Sequence, residues 1–169
     1  MYLTGSSLSG DVEENPGPSN QCSATTTCNL VAHHSSITNS VEVEVGGGGD
    51  CFFQAVSHQL YGNPNNHSHV CSLGVQYLLQ NPAQFIESNT DHSWQDYLNN
   101  MSCQGTWADA IIIQAVANCL NWSIHIAKSF ETFAPVTVVQ AVNVTGERTN
   151  IYIGRISETH YVSTVEKRN

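Results

Sequence analysis

A cysteine at the start of a predicted helix and a histidine near the far end of the chain are the residues best suited to covalent chemistry. Cys51 follows a glycine run and Asp50, and it leads into Phe52 to Val56, an apolar stretch of helical type. Unpaired amides and the helix dipole at a helix N-terminus favour a thiolate. His160, in a late strand-like segment, is the general base expected for it, since such partners meet through the fold. The chemistry indicated is nucleophilic attack by sulfur.

Apolar residues at helical spacing predict a series of helices that position this cysteine. The first helix is expected from about Cys51 to Tyr61. The second carries the apolar residues from Val70 to Leu78 and stops before Pro82, which cannot continue a helix. A short helix around Phe85 and another from Trp94 to Met101 are expected to follow.

Thr106 and Asp109 form a capping box that predicts one more helix, carrying Trp107 and the apolar residues as far as Cys119. The alternating run Val41 to Val45 predicts a strand before the glycines, and the final third of the chain is β-type. The late strands are expected at Ser123–Ala127, Val136–Val142, Thr149–Ile153 and His160–Val165, with turns at Gly146 and at Gly154 or Ser157. This order predicts an α+β domain, with helices packed on a small, mostly antiparallel sheet.

Composition limits the class of partner. Of the 169 residues 40% are hydrophobic and 11% are charged, with a formal net charge of -9, which suits one globular domain plus a tail. Scarce lysine and arginine argue against a surface for nucleic acid. There is no run long enough to span a bilayer and no pattern of signal-peptide type. We therefore expect a cytoplasmic monomer without nucleic-acid or membrane partners.

Two groups of cysteine and histidine have spacings that deserve a test as metal sites. The N-terminal group lacks a Cys-x-x-Cys pair and lies in a Ser/Thr/Asn-rich segment, and the second group is a weaker candidate still. The groups are Cys22, Cys28, His33 and His34, and His67, His69 and Cys71. We predict no metal and no cofactor.

The segment from Gly10 to Pro18 reads Gly-Asp-Val-Glu-Glu-Asn-Pro-Gly-Pro. It resembles the 2A-like ribosome-skipping peptides of RNA viruses and some retrotransposons, whose core is D-V-E-x-N-P-G-P. The resemblance implies that the bond between Gly17 and Pro18 is skipped during translation. Residues 1–18 would then be a leader, residues 19–40 a flexible Ser/Thr/Asn-rich linker, and residues 41–166 the folded domain.

Three ordered blocks resemble the ovarian-tumour (OTU) family of papain-like deubiquitinases. The segment from Gly49 to Val56 resembles the D-G-x-C-hydrophobic-aromatic-x-A motif around the nucleophile. Trp107-Ala108-Asp109 and the segment from Asn121 resemble the W-G-D helix and the N-x-x-I-x-I strand, and His160-Tyr161 resembles the H-Y motif. The resemblance implies a papain-like OTU fold over residues 41–166, and the 2A-like leader suits a retroelement or viral type.

The resemblance implies acyl transfer from ubiquitin, polyubiquitin or a ubiquitin-like modifier. The thiolate of Cys51 would attack the carbonyl of the modifier's C-terminal glycine, and His160 would protonate the leaving lysine amine. The backbone amides of Gly48, Gly49 and Asp50 are expected to form the oxyanion hole, because a glycine loop that enters a helix presents free N–H groups.

Tyr161 and Trp107 are the substrate-binding residues that the resemblance implies, with Tyr161 narrowing the cleft so that only glycine precedes the scissile bond. Two other functions fit the sequence. The 2A-like leader is compatible with a papain-like protease that processes a polyprotein. Departures from the family pattern at Gly48 and Val162 are compatible with a catalytically decayed module that only binds ubiquitin.

Those departures leave the group that orients the imidazole unassigned. Gly48 stands where the family has an acid three residues before the nucleophile, and Val162 stands where an acid or amide often follows the histidine. We name Asp50 as the candidate third catalytic residue, although it also suits a helix cap, and a carboxylate there would raise the thiol pKa. The other candidates are Glu42, Glu44, Asn150 and Ser163, and family members that use a residue before the nucleophile favour the two glutamates.

Overall fold

The structure is a computed structural model that describes residues 40–91, 93–128, 136–142, 146–147, 149–156 and 159–166. The 2A-like segment, residues 19–39 of the expected linker and the N-terminal cysteine and histidine group lie outside these residues, as does Ser157. Ser40, expected to end the linker, instead begins the first strand. Within the described residues no helix is long and apolar enough to cross a bilayer.

The described helices agree with the predicted series except around Phe85 and at the start of the last helix. Two 3-10 turns, Pro82–Gln84 and Ile86–Ser88, replace the helix expected around Phe85, because Pro82 interrupts the chain after the second helix. The first helix ends at Gly62, whose φ of 67° suits glycine and whose amide bonds the carbonyl of His58 at 2.9 Å. The helices are α1 (Cys51–Tyr61), α2 (His67–Gln80), α3 (Trp94–Met101) and α4 (Ala110–Leu120), with a further 3-10 turn at Pro64–Asn66.

Helix α4 begins later than the capping box predicted. Asp109 is its N-cap, because its Oδ1 accepts hydrogen bonds from the amides of Ile111 at 2.9 Å and Ile112 at 3.0 Å. Thr106 instead donates its hydroxyl to the carbonyl of Asn100 at 2.8 Å. Trp107 therefore lies in the loop before the helix and not on it, which corrects the prediction.

The described strands form one sheet in the order β1-β5-β4-β2-β3. Strands β2 and β4 are parallel and the other three pairings are antiparallel, which confirms the mostly antiparallel α+β prediction. Gly154 lies within β4, where an added Cβ would press on the side chain of Val162, so the turn predicted at Gly154 is wrong. The strands are β1 (Ser40–Val43), β2 (Trp122–Lys128), β3 (Val136–Gln140), β4 (Thr149–Ile156) and β5 (His160–Glu166).

Helix α1 is fixed on β5 by a buried polar contact as well as by apolar packing. Ser163 of β5 is fully buried, and its hydroxyl lies 2.8 Å from Nδ1 of His58 and 2.7 Å from Nε2 of Gln59. Gln59 also donates to the carbonyl of Thr164 at 2.7 Å. Buried polar groups that lack hydrogen-bond partners are costly, and a shift of α1 along the sheet would break these bonds. The bonds therefore fix the position of α1 on β5. The N-terminus of α1 thereby reaches the start of β5.

Candidate active site

The sulfur of Cys51 lies where the first turn of α1 meets the start of β5. Cys51 is fully buried, and its thiol donates to the carbonyl of Thr159 at 3.6 Å. The amide of Tyr161 donates back to this sulfur at 3.4 Å. Thr159 and Tyr161 are the two neighbours of His160, so the fold brings the predicted nucleophile and base together across more than 100 residues of sequence.

The imidazole of His160 is held by Glu44. Its Nε2 lies 3.1 Å from Oε1 and 3.0 Å from Oε2 of that carboxylate. Glu44 directly follows β1, whose antiparallel pairing with β5 carries it to the start of that strand. A proton on Nε2 satisfies this contact, which leaves Nδ1 as the nitrogen that can accept a proton from the thiol.

The Glu44 contact lies at the surface and acts by orientation. The side chain of Glu44 is 64% exposed and that of His160 is 27% exposed, so solvent weakens the Coulomb attraction between them. The hydrogen bond from His160 lowers the pKa of Glu44 below its ordinary value, although partial desolvation opposes this. Its stabilising effect is therefore present above the ordinary carboxyl pKa and is lost as pH falls through the lowered value.

Asp50 does not contact His160. Its Oδ1 accepts a hydrogen bond from the amide of Gly105 at 2.9 Å. This bond joins residues 46–50, here called the nucleophile loop, to the loop between α3 and α4. Asp50 occupies the N-cap position of α1 without forming a side-chain cap. The expected N-cap position of Asp50 is thus confirmed, although its side chain forms no cap hydrogen bond. The carboxylate that contacts His160 belongs to Glu44 and not to Asp50.

The remaining candidates for the orienting group have other contacts. Asn150 contacts Nε2 of His125 through its Oδ1 at 3.2 Å, and Ser163 lies in the polar contact beneath α1. Glu42 is exposed on β1, with its carboxylate near Gly154. Among the candidates that the sequence offered, Glu44 is the one that reaches the imidazole.

The loop before Cys51 contains unpaired backbone amides at the place where the oxyanion hole is expected. Gly48 adopts a φ of 79°, which strains any residue with a side chain, and its carbonyl accepts from the amide of Cys51 at 3.3 Å. Gly49 is buried, and an added Cβ would overlap the carbonyl of Gly105. No acceptor in the described part of the chain takes the amide hydrogens of Gly49 or Asp50. These two amides can meet a negative oxygen beside Cys51.

Burial disfavours the thiolate form of Cys51. Burial raises the pKa of Cys51 above that of an ordinary thiol, and the negative charge of Glu44 acts weakly in the same direction. Hydrogen bonds from the amides of Tyr161, Phe52 and Cys51 lower the pKa but do not overcome burial. The helix N-terminus therefore does not bring the pKa of this thiol below its ordinary value, contrary to the expectation from sequence.

The two residues expected to bind substrate are placed very differently. Trp107 is 50% exposed in the loop before α4, where its ring is accessible to a partner. Tyr161 is only 7% exposed, and its ring packs against Phe52 at a centroid distance of 5.4 Å and an angle of 74°. The Tyr161 ring is therefore a packing contact of α1 in this structure, and its expected role in narrowing a cleft stays a prediction.

The described group of candidate metal ligands, His67, His69 and Cys71, has other contacts. Nδ1 of His67 lies 3.2 Å from the carbonyl of Pro64, and His69 packs against Tyr61. The thiol of Cys71 donates to the carbonyl of Met101 at 3.4 Å. In the described ranges no three such side chains converge on one point.

One functional contact was not foreseen from sequence. Gly105, with a φ of 83°, supports the nucleophile loop twice, through its amide to Asp50 and through close packing on Gly49. The available signal was a glycine in the short polar segment before Trp107. Nothing in that segment indicated which part of the fold it would contact.

Comparisons with known proteins agree with this geometry. A family model described as OTU-like cysteine protease matches residues 46–161, which include Cys51 and His160. The OVARIAN TUMOR DOMAIN-containing deubiquitinating enzyme 10 of Arabidopsis thaliana is 28% identical over 137 residues, covering 78% of this chain and 38% of that protein. The chain spans well under half the length of this relative.

Solved structures share the fold. The OTU domain of OTUD1 matches with a TM-score of 0.66 and 20% identity, covering 76% of this chain and 87% of the other. An OTU domain solved in complex with ubiquitin matches with a TM-score of 0.60 and 18% identity, covering 74% and 69%. The expected OTU fold is thus confirmed, and because the family match spans more than half of the sequence, the chain belongs to the OTU-like cysteine protease family.

Proposed function

We propose that this chain is a deubiquitinase that hydrolyses peptide or isopeptide bonds after the C-terminal Gly-Gly of ubiquitin, polyubiquitin or a ubiquitin-like modifier. The observation that carries the proposal is the convergence of Cys51, His160 and Glu44 beside two unpaired loop amides. Support also comes from the Arabidopsis relative, which is named a deubiquitinating enzyme, and from the ubiquitin complex of a protein with the same fold.

The reaction follows from the placement of each group. Nδ1 of His160 takes the thiol proton, and the Cys51 thiolate attacks the carbonyl of the modifier's terminal glycine. The amides of Gly49 and Asp50 bind the resulting oxyanion. The imidazolium returns its proton to the departing lysine amine, which leaves a thioester. His160 then removes a proton from water, which attacks the thioester and releases the modifier's carboxylate while the thiol is restored.

Glu44 argues for an active enzyme over a decayed binding module. Gly48 and Val162 stand at two positions where the family has acidic or amide residues, and for this reason the sequence is compatible with a module that has lost catalysis. Glu44, the residue that follows β1, supplies a carboxylate to Nε2. The imidazole is thus oriented without either missing acid.

The partner and compartment complete the proposal. A net charge of -9 favours a partner with a basic binding surface, and ubiquitin or a ubiquitin-like modifier is the partner proposed. We place the protein in the cytoplasm as a monomer that needs no nucleic acid, membrane, metal or cofactor.

The decisive experiment uses a ubiquitin propargylamide probe on the full chain and reads the mass of the intact product. We expect one ubiquitin adduct on the wild type, none on Cys51→Ala, and strongly slowed labelling of His160→Ala. Cys103→Ser is the matched control for loss of a thiol, and it should label normally. Folded wild-type protein that gains no adduct would contradict the proposal.

The 2A-like segment supports a second part of the proposal, an origin in a retroelement or virus. We propose that translation skips the bond between Gly17 and Pro18. In a cell-free translation with a reporter fused upstream, two separate products are expected, and Pro18→Ala should restore one fused product. Should the enzyme cut its own precursor at sites without Gly-Gly, and Cys51→Ala abolish that cutting, a polyprotein protease would replace the deubiquitinase.

A further inference from the structure

A cavity of about 290 Å³ lies behind the nucleophile loop, between α2 and the segment that follows α3. Asp50 forms part of its wall, and two free cysteines, Cys71 and Cys103, line the same cavity. The reaction proposed above uses neither thiol. Two thiols that line one cavity beside the nucleophile loop are a pair of nucleophiles that can react with each other.

The two thiols differ in a way that suits sequential oxidation. Cys103 is exposed, so a small oxidant reaches it first. Cys71 is half-buried, and burial followed by the charge of Asp50 raises the pKa of its thiol to about 11. Its sulfur lies 3.4 Å from the carbonyl oxygen of Met101, which is only two residues before Cys103. Cys71 is thus slow to react with an oxidant and near the residue that reacts faster.

The segment that carries Cys103 supports the catalytic loop. The amide of Thr106 donates to the carbonyl of Cys103 at 3.3 Å, which closes residues 103–106 into a turn, here called the buttress turn. Within this turn, Gly105 donates its amide to Asp50 at 2.9 Å and packs on Gly49 without room for a methyl group. A displacement of Cys103 is therefore transmitted to the amides proposed as the oxyanion hole.

We propose that Cys71 and Cys103 form a redox-modified site in which a hydroperoxide joins the two sulfurs as a disulfide and thereby shifts the buttress turn and lowers the activity of Cys51. The effect on activity rests on the proposed function, whereas the disulfide does not. Both thiols now donate to carbonyls in the last turn of α3, Cys71 to Met101 and Cys103 to Asn99, each at 3.4 Å. A disulfide has no S–H donor, so both bonds are lost.

The chemistry balances with hydrogen peroxide as the oxidant. The Cys103 thiolate attacks one peroxide oxygen and breaks the O–O bond, which gives a sulfenic acid and, after protonation, one water. The Cys71 sulfur then attacks the Cys103 sulfur, forms the S–S bond and expels a second water with its own proton. The two thiols lose two protons and two electrons, which the peroxide gains, and a reducing thiol reverses the change.

The first test is independent of enzyme activity. Full-length Cys51→Ala protein is treated with hydrogen peroxide, capped with iodoacetamide and digested with chymotrypsin. We expect a peptide pair joining Cys71 to Cys103, lighter by two hydrogens than its parts and released by dithiothreitol. The pair should be absent from Cys51→Ala with Cys103→Ser. A predominant bridge to any other cysteine, or no bridge, would overturn the proposal.

The second test asks whether the bridge reaches the loop. Hydrogen exchange of the peptide containing Gly105 should become at least tenfold faster on oxidation of the Cys51→Ala protein. The activity test uses proteins that retain Cys51 and measures cleavage of ubiquitin chains before peroxide, after peroxide and after dithiothreitol. The part of the activity that peroxide removes and dithiothreitol restores should be at least fivefold larger in the wild type than in Cys103→Ser. Oxidation of Cys51 itself is common to both proteins and does not produce this difference. A bridge with unchanged exchange, or equal losses of activity, would refute the coupling. If the protein has no deubiquitinase activity, the disulfide mapping and the hydrogen-exchange measurement still test the proposal.

Discussion

Cys51 has two supports that are built on different physical principles. On the sheet side, β5 and the end of β1 present His160 and Glu44, and both are fixed by antiparallel strand register. On the loop side, Gly49 lies against the backbone of Gly105, and the Asp50 carboxylate accepts a hydrogen bond from the Gly105 amide. On the sheet side a side chain can be replaced without moving the strands, because backbone hydrogen bonds hold their register. On the loop side two backbones are in direct contact, so almost any added side chain would displace them. The two sides of the site should therefore respond very differently to substitution.

The largest effect is expected on the loop side, from Gly49→Ala. The added methyl overlaps the carbonyl of Gly105, so the loop or the buttress turn must move. We expect a loss of about 1–3 kcal/mol in unfolding free energy and about a hundredfold or more in the rate of ubiquitin-probe labelling, as for a lost oxyanion donor. Gly47→Ala is the matched control, because an added Cβ there meets nothing within 4 Å. If the two variants were equally stable to urea and were labelled at equal rates, the contact between Gly49 and Gly105 would not be what supports the loop side of the site.

On the sheet side, Glu44→Ala should reduce kcat by about ten- to a hundredfold, because an unoriented imidazole is a poorer base. Stability should change by less than about 0.5 kcal/mol, since the pair is exposed. Glu44→Gln keeps an acceptor for Nε2 and should recover part of kcat, with KM nearly constant. Glu42→Gln serves as the control on the same strand. A change confined to KM would show that Glu44 contacts substrate and does not orient His160.

The Asp50 contact separates charge from hydrogen bonding. Asp50→Asn keeps an oxygen acceptor for the Gly105 amide and should retain nearly full activity. Asp50→Ala removes the acceptor and should cost about 1 kcal/mol in unfolding free energy, with a loss of severalfold in labelling rate. If Asn and Ala were equally impaired, the negative charge of Asp50 and not its hydrogen bond would matter.

The smallest effect concerns pH. Because burial raises the pKa of Cys51, His160→Ala protein should react with iodoacetamide severalfold more slowly at pH 7 than a free cysteine does. The rate should rise with pH and still be rising above about 8.5, where an ordinary thiol is half ionised. Cys51→Ala supplies the background from other thiols. A midpoint below that of free cysteine would mean that the helix N-terminus outweighs burial.

The elements that hold the site were predictable wherever local periodicity decides structure. Helix α1 starts at Cys51 as expected, and β5 starts at His160. The choice of Glu44 among the candidates was not predictable, because it depends on the register of β1 on β5, which two identical Val-Glu steps leave ambiguous. The contact between Gly49 and Gly105 depends on backbone proximity alone, and glycine spacing carries no information about it.

The position of Glu44 has a practical consequence for dividing the chain. In the described sheet β1 lies at an edge and pairs with β5 alone. A fragment beginning at the glycine run would retain Cys51, His160 and the whole buttress turn, and its helical core would be intact. It would nevertheless lack the carboxylate that contacts the imidazole of His160. A fragment that keeps this contact and the whole of β1 must begin no later than Ser40, the first residue of that strand.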